Sequence, residues 1–247
     1  MKKPLRIAVL QCDQPPPDVV AQYGAYDRIF ATLLQTAAAR MGLQEADLEI
    51  TGWDVVGKME YPLLEDVDGV LISGSKHNSF DDEPWILKLV AFTEVILRLN
   101  RVRLVGVCFG HQIIGRALGS RVGRSDAGWE IAVLPVELTE LGKQVFGQET
   151  LAIHQMHKDI VYSLPPGVQS LGSSPRCANQ GMYAPRRLIS VQGHPEFHEG
   201  IVSRLVKMRN AQGIFNDEQA QDALGRVGNA HDGVVIAQAF LRFLLEE

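Results

Sequence analysis

The chain has 247 residues, 46% hydrophobic and 21% charged, an ordinary globular profile with enough length for a sizeable core. Its 24 basic and 29 acidic residues leave a net charge of −5, and no Lys/Arg run suggests a nucleic-acid or membrane surface. Cys12, Cys108 and Cys177 are odd in number and far apart, which argues against a disulfide framework and for a cytoplasmic protein with reduced thiols.

The opening stretch MKKPLRIAVLQCDQPPP places two lysines before an apolar run. That run, RIAVLQC, is seven residues long, contains Arg6 and leads into polar, proline-rich sequence, so it reads as a first strand over 5–12 and not as a targeting segment. No apolar run approaches the ~20 residues a membrane span needs. Residues 26–41 carry Ile29, Leu33 and Leu34 at helical spacing and stop at Gly42. Residues 48–53 read as a second strand, and GVLIS at 69–73 as a short, wholly apolar one. Asp82, Glu83 and Pro84 open a helix over 85–99. A strand at 103–107 is followed by a helix at 109–118, closed by Gly119. This alternation of apolar strands with helices argues for a parallel sheet covered on both faces.

Further on, residues 129–138, 151–154, 169–172, 181–184 and 188–192 read as short strands separated by Pro/Gly turns, an antiparallel-looking insertion. The tail is helical over 199–209, from Asn216 to Gly225, and over 232–245, and all three helices read as core packing. There is no internal repeat and no low-complexity linker.

One junction carries chemistry. In Gly106-Val107-Cys108-Phe109-Gly110 a cysteine stands between two glycines, where a strand gives way to a helix. Ligand sites in open parallel sheets form outside the carboxyl ends of the strands. A tight strand-to-helix turn there holds a nucleophile proud of the sheet and needs small neighbours. The helix N-terminus favours negative charge on the sulfur, and the Phe109 amide points where an oxyanion would form. A small buried cysteine at a turn reads the same way, so a base is needed. Gln192-Gly193-His194-Pro195-Glu196 supplies a candidate. Pro195 forces His194 into an extended conformation, in which His194 and Glu196 share a side and the carboxylate orients the imidazole. His194 and His198 are four apart, but Pro195 argues against a helix across them and no third ligand is evident, so no metal is expected. His154 and His157 fit a strand-end loop better than a metal-binding helix.

The cysteine elbow with a later His-Pro-Glu resembles the class I glutamine amidotransferases. GVLISGS (69–75), GVCFGHQIIGRALG (106–119), QMHKDIVYSLPPG (155–167) and VQGHPEF (191–197) carry the resemblance in order over most of the chain. The fold expected is α/β, a flavodoxin-like three-layer sandwich with a mostly parallel central sheet and a small antiparallel insertion, as a single domain over 1–247. The resemblance implies that Cys108 attacks a γ-glutamyl carbonyl to give a thioester, that His194 shuttles the proton and that Glu196 orients it. The amides of Gly74 and Phe109 would form the oxyanion hole, where losing one donor costs roughly 3 kcal/mol. Gln112, Ser75, Met156, His157 and Lys158 would hold the glutamyl group.

SGSKHNSFDDEPWI and YGAYDRIF resemble stand-alone relatives of the GMP synthetase amidotransferase domain, among them the plant gamma-glutamyl peptidases. Tyr23 and Tyr26 would then sit at the mouth of the site. Two departures matter. Ser73-Gly74-Ser75 stands where many members have Gly-Gly-Pro, and Gly193 where they often have Phe, which should leave more room beside the base. No P-loop or acceptor-activating domain is visible. The function expected is cysteine-dependent hydrolysis of a γ-glutamyl amide, with a small-molecule substrate and no cofactor. The alternatives are a glutaminase subunit feeding ammonia to a synthetase partner, a γ-glutamyl transferase and a non-catalytic binding module. The intact Cys108, His194 and Glu196 argue against the last.

Overall fold

The computed structural model describes residues 4–246. In the first half of the chain, β1 (Leu5–Gln11), β2 (Leu48–Asp54), β3 (Gly69–Ile72) and β4 (Arg103–Val107) alternate with α1 (Pro17–Tyr23), α2 (Tyr26–Arg40), α3 (Pro84–Leu99) and α4 (Phe109–Ala117). The second half runs through β5 (Val122–Arg124), β6 (Glu130–Leu138), α5 (Glu140–Phe146), β7 (Thr150–His157), β8 (Asp159–Val161), β9 (Gln169–Ser174), β10 (Cys177–Ala184) and β11 (Leu188–Val191). Three helices close it: α6 (Glu199–Ala211), α7 (Asp217–Leu224) and α8 (Gly233–Leu245).

Nine strands form one sheet in the order β2-β1-β3-β4-β11-β10-β9-β6-β7. From β2 to β11 neighbours are parallel, and from β11 to β7 they are antiparallel. The antiparallel strands therefore continue the parallel sheet directly, while β5 and β8 make a separate two-stranded ladder. Helices cover both faces, as the strand composition predicts. One apolar cluster joins the sheet to α2, α6 and α8 through Phe30, Leu34, Val202 and Phe240. The other joins the opposite face to α3 and α4 through Ile86, Leu89 and Ile113. Each such side chain contributes about 1.5–3 kcal/mol on burial.

β7, β9 and β10 are longer than the sequence predicts, whereas β6 and β11 lie within the predicted bounds. β7 runs on to His157, which puts His154 and His157 on a strand and not in a loop, and β10 starts at Cys177. The extra residues include Gln155, His157, Asn179 and Gln180, so the apolar pattern breaks. Gln155, Asn179 and Gln180 are buried with their amide nitrogens hydrogen-bonded. Gln155 Nε2 donates to Gln180 Oε1 (2.9 Å), Gln180 Nε2 to Glu130 Oε2 (2.8 Å) and Asn179 Nδ2 to the Val161 carbonyl (2.8 Å). The short elements α1, α5, β5 and β8 are not predicted by the sequence pattern.

Candidate active site

Three neighbouring parallel strands bring three loops together. Ile72 pairs with Gly106, and Val191 with Val107, so the residues after β3, β4 and β11 emerge side by side. They are Ser73-Gly74, Cys108 and Gln192-Gly193-His194. This is the carboxyl edge of the parallel sheet.

Cys108 joins β4 to α4 at φ 52° and ψ −103°. A non-glycine residue holds such a conformation only where its surroundings impose it, at a cost of about 1–3 kcal/mol. Its amide donates to the Val191 carbonyl (2.9 Å), and its carbonyl accepts from the Gln112 amide (3.1 Å). The flanking glycines are steric necessities. A β-carbon on Gly106 would lie 2.6 Å from Ile114 Cδ1, and one on Gly110 only 2.2 Å from the Ile72 carbonyl oxygen. The sulfur thus stands at the start of α4, where the first amides have no partner within the helix. The Phe109 amide is the first of them.

His194 and Glu196 share a side, as the extended His-Pro-Glu predicts. His194 Nδ1 lies 2.8 Å from Glu196 Oε1, and both side chains are buried. The same ring and Cys108 both flank Gly74, each close to where a β-carbon there would lie. Phe197 stacks flat on the imidazole, with 4.0 Å between centroids and 1° between planes. Burial opposes charge on this imidazole, but Cys108 and Glu196 outweigh it and raise its pKa above the ordinary histidine range. The arrangement is the one a thiol nucleophile needs: a base beside it and a carboxylate orienting the base.

The loop after β3 closes over this pair. A β-carbon on Gly74 would lie 2.7 Å from His194 Cε1 and 3.7 Å from Cys108 Cβ. The loop is pinned from below: the Cys12 amide donates to Ser73 Oγ (2.9 Å), and that hydroxyl donates to the Gly74 carbonyl (3.0 Å). Cys12 is therefore a neighbour of the site through its backbone. Its thiol is fully buried, and burial pushes its pKa far up.

The remaining sequence candidates divide. A cleft of about 920 Å³ opens at His194, and Tyr26, Met156 and Lys158 line it together with Asp13, Lys76, Trp129, Phe197 and Arg209. Gln112 does not face substrate with its amide. Its Oε1 accepts from Ser79 Oγ (2.9 Å), and its Nε2 donates to the Asp159 carbonyl (2.9 Å) and to Gln192 Oε1 (3.2 Å). His157 is likewise taken up by protein groups, 3.1 Å from Glu130 Oε2 and 3.2 Å from the Asp159 carbonyl. Ser75 Oγ accepts the His77 amide at 3.1 Å and does not line the cleft. Tyr23 lies away from the mouth, edge-on to His198 in a separate apolar pocket behind Pro195 and Glu196. His198 accepts the Gly200 amide through Nδ1 (3.2 Å) and caps α6, so it does not pair with His194 as a metal-binding couple.

Gly193 leaves no extra room beside the base. A β-carbon there would lie 2.8 Å from Ile153 Cδ1 and 3.0 Å from the His154 carbonyl oxygen. That carbonyl accepts the His194 amide at 2.7 Å, so β7 occupies the space. Sequence reasoning also misses Trp129, Phe197, Asp13 and Arg209. Phe197 directly follows the His-Pro-Glu motif, which is signal enough. Arg209 belongs to a helix that reads as core packing, but α6 also walls the cleft through Leu205, Met208 and Arg209.

Residues 26–205 match the family described as glutamine amidotransferase class-I. A glutamine amidotransferase-like protein of Schizosaccharomyces pombe is 34% identical over 97% of this chain and 98% of its own. Gamma-glutamyl peptidase 2 of Arabidopsis thaliana is 30% identical over 83% of this chain and 82% of its own. The crystal structure of a glutamine amidotransferase from Thermotoga maritima matches 98% of this chain and 99% of that one with a TM-score of 0.74, at 17% identity, which is a likeness of fold.

Proposed function

The chain belongs to the class I glutamine amidotransferase family, and on that premise we propose that it hydrolyses a γ-glutamyl amide bond through a thioester on Cys108. The observation that carries this reading is the strained Cys108 elbow, with His194 beside it across Gly74 and Glu196 2.8 Å behind the ring. His194 takes the proton of the Cys108 thiol as the sulfur attacks. The thiolate adds to the γ-carbonyl carbon, and the amides of Gly74 and Phe109 take the charge that develops on oxygen. The tetrahedral adduct collapses, the C–N bond breaks and His194 gives its proton to the departing amine. Neutral His194 then takes a proton from water, whose oxygen attacks the thioester. Glutamate leaves, and His194 returns the proton to the sulfur.

Lys158 is the candidate partner for the glutamyl α-carboxylate. It lines the cleft and, among the described residues, has no carboxylate partner, whereas Lys76 and Arg124 are paired to Asp13 and Asp159. The cleft volume favours a peptide or conjugate over glutamine, because the leaving group of glutamine is only ammonia. The 30% identity with a gamma-glutamyl peptidase supports the same choice. The alternative, an ammonia donor to a synthetase, predicts a different specificity.

A panel of glutamine, glutathione, a glutathione S-conjugate and a γ-glutamyl anilide, with ammonia and free amine as readouts, tests the proposal on the purified chain. We expect release of amine from the γ-glutamyl peptides and conjugates, and none from Cys108→Ala with its fold intact. Equal turnover by Cys108→Ala would sink the mechanism. Release of ammonia from glutamine alone would select the synthetase-feeding role.

A further inference from the structure

Of the five basic side chains that line the cleft, three are neutralised: Lys76 by Asp13, Arg124 by Asp159 and Arg204 by Asp18. Arg209 is different. It is held over the faces of Trp129 and Phe215, 5.4 and 5.8 Å from the ring centroids. Its Nη1 is buried without a hydrogen-bond partner, and among the described residues no carboxylate pairs with it. A guanidinium stays charged in a protein, and a desolvated charge without a counter-ion is costly. Arg209 lines the same cleft as His194, Tyr26 and Asp13. Two aromatic faces hold the fork in place before any ligand arrives, as bidentate carboxylate recognition requires.

Arg209 lines the cleft from α6 with Leu205 and Met208, and His194 and Phe197 line the same cleft. The base gives its proton to the departing amine, so the cleft beside it receives the leaving group. Its apolar lining includes Tyr26, Trp129, Phe197, Leu205 and Met208. Lys158, the proposed anchor of the glutamyl α-carboxylate, directly follows β7 and lines the same cleft as a second cation without a carboxylate partner among the described residues.

We propose that Arg209 is a specificity-determining residue that binds a carboxylate on the leaving group, so that the preferred substrate is a γ-glutamyl derivative of an apolar amino acid or of a peptide with a free carboxyl terminus. This deepens the γ-glutamyl hydrolase reading and rests on it. Two cationic anchors, Lys158 and Arg209, then take the two carboxylates of one γ-glutamyl peptide. The apolar wall takes the side chain between them.

The test is a matched pair, γ-glutamyl-leucine and γ-glutamyl-leucinamide, which differ only in the leaving-group carboxylate. A γ-glutamyl anilide, which lacks that carboxylate, reports the basal chemistry. The wild-type chain should prefer the acid over the amide by about tenfold or more in kcat/KM, the scale of a charged hydrogen bond. Arg209→Met keeps a stem of similar shape over Trp129. It should bring the ratio of acid to amide kcat/KM close to one, a ratio in which any loss common to both substrates cancels. Arg209→Lys should retain part of the preference. Equal use of acid and amide by the wild-type chain overturns the assignment, as does an Arg209→Met variant that loses both substrates equally. If no γ-glutamyl compound is turned over and an electrophilic γ-glutamyl analogue fails to label Cys108, the hydrolase reading fails with it. If the anilide is cleaved and Cys108 is labelled without any acid preference, the carboxylate clamp alone fails.

Discussion

The Glu196 carboxylate touches one thing that matters, the Nδ1 edge of His194 at 2.8 Å, and its other oxygen is buried without a partner. Its electrostatic role is therefore legible in a titration. Burial lowers the imidazole's pKa, and Cys108 and Glu196 raise it by more. Removing the Glu196 charge removes one of the two raising influences, so the imidazolium should lose its proton at a lower pH. In Glu196→Gln the limb of kcat/KM on which His194 loses its proton should move towards acid while the amide still holds the ring. The rate on the plateau should fall less than in Cys108→Ala, because the nucleophile remains. A pH–rate profile on the γ-glutamyl anilide measures both. A limb that stays in place would mean that Glu196 only orients the ring and does not tune it.

Among the elements, the parallel half is legible in the sequence and the antiparallel half only in outline, with some strands read too short. In β1, β3, β4 and β11 burial on both faces leaves nearly continuous apolar runs, which a sequence displays directly. The elbow is equally plain, because its strand, its two glycines and its cysteine are contiguous in the chain. The sequence pattern makes β7 and β10 too short because Gln155, Asn179 and Gln180 are polar yet buried, and bonded to partners on distant strands. Pairing of that kind leaves no periodicity. For the same reason Gln112 looks like a substrate ligand: its motif position is clear, but its partners Ser79, Asp159 and Gln192 lie 33, 47 and 80 residues away. Gly193 is the sharpest case. Taken alone it suggests space, whereas β7 fills that space with Ile153. Gly193→Phe, which restores the side chain common in the family, should therefore destabilise this chain, by about 1–3 kcal/mol for overpacking of this kind. Combined with Ile153→Ala it should recover part of that loss. Urea unfolding of the two single variants and the double variant forms the cycle, and a Gly193→Phe chain as stable as the wild type would contradict the packing of β7 against the loop after β11.

At the scale of the whole molecule the buried histidines set how stability responds to acid. His111 and His154 are fully buried and neutral, with pKa values lowered to about 3, first by desolvation and then by neighbouring histidines. His111 bonds Ser190 Oγ at 2.9 Å and ties α4 to β11, while both ring nitrogens of His154 lack partners. The half-buried His198 and His231 are shifted the same way by burial. A group with a lowered folded pKa holds fewer protons folded than unfolded. Its contribution is complete above the unfolded value of about 6.5 and drains as the pH falls towards the folded value. His194 has the opposite sign: its raised pKa contributes stability below about pH 6.5 that is lost on the alkaline side. Between about pH 6.5 and 5 the carboxylates are still mostly ionised, so the histidines dominate the slope. Each fully buried one contributes up to roughly 1.4 kcal/mol per pH unit there. His154→Leu removes one titrating group and fills the site with apolar volume, and its backbone carbonyl can still accept the His194 amide. Its denaturant-derived stability should fall less steeply than the wild type's between about pH 6.5 and 5, by at most one proton's worth of slope. A slope equal to the wild type's would mean that His154 is not held neutral in the folded state, and that the acid sensitivity arises elsewhere.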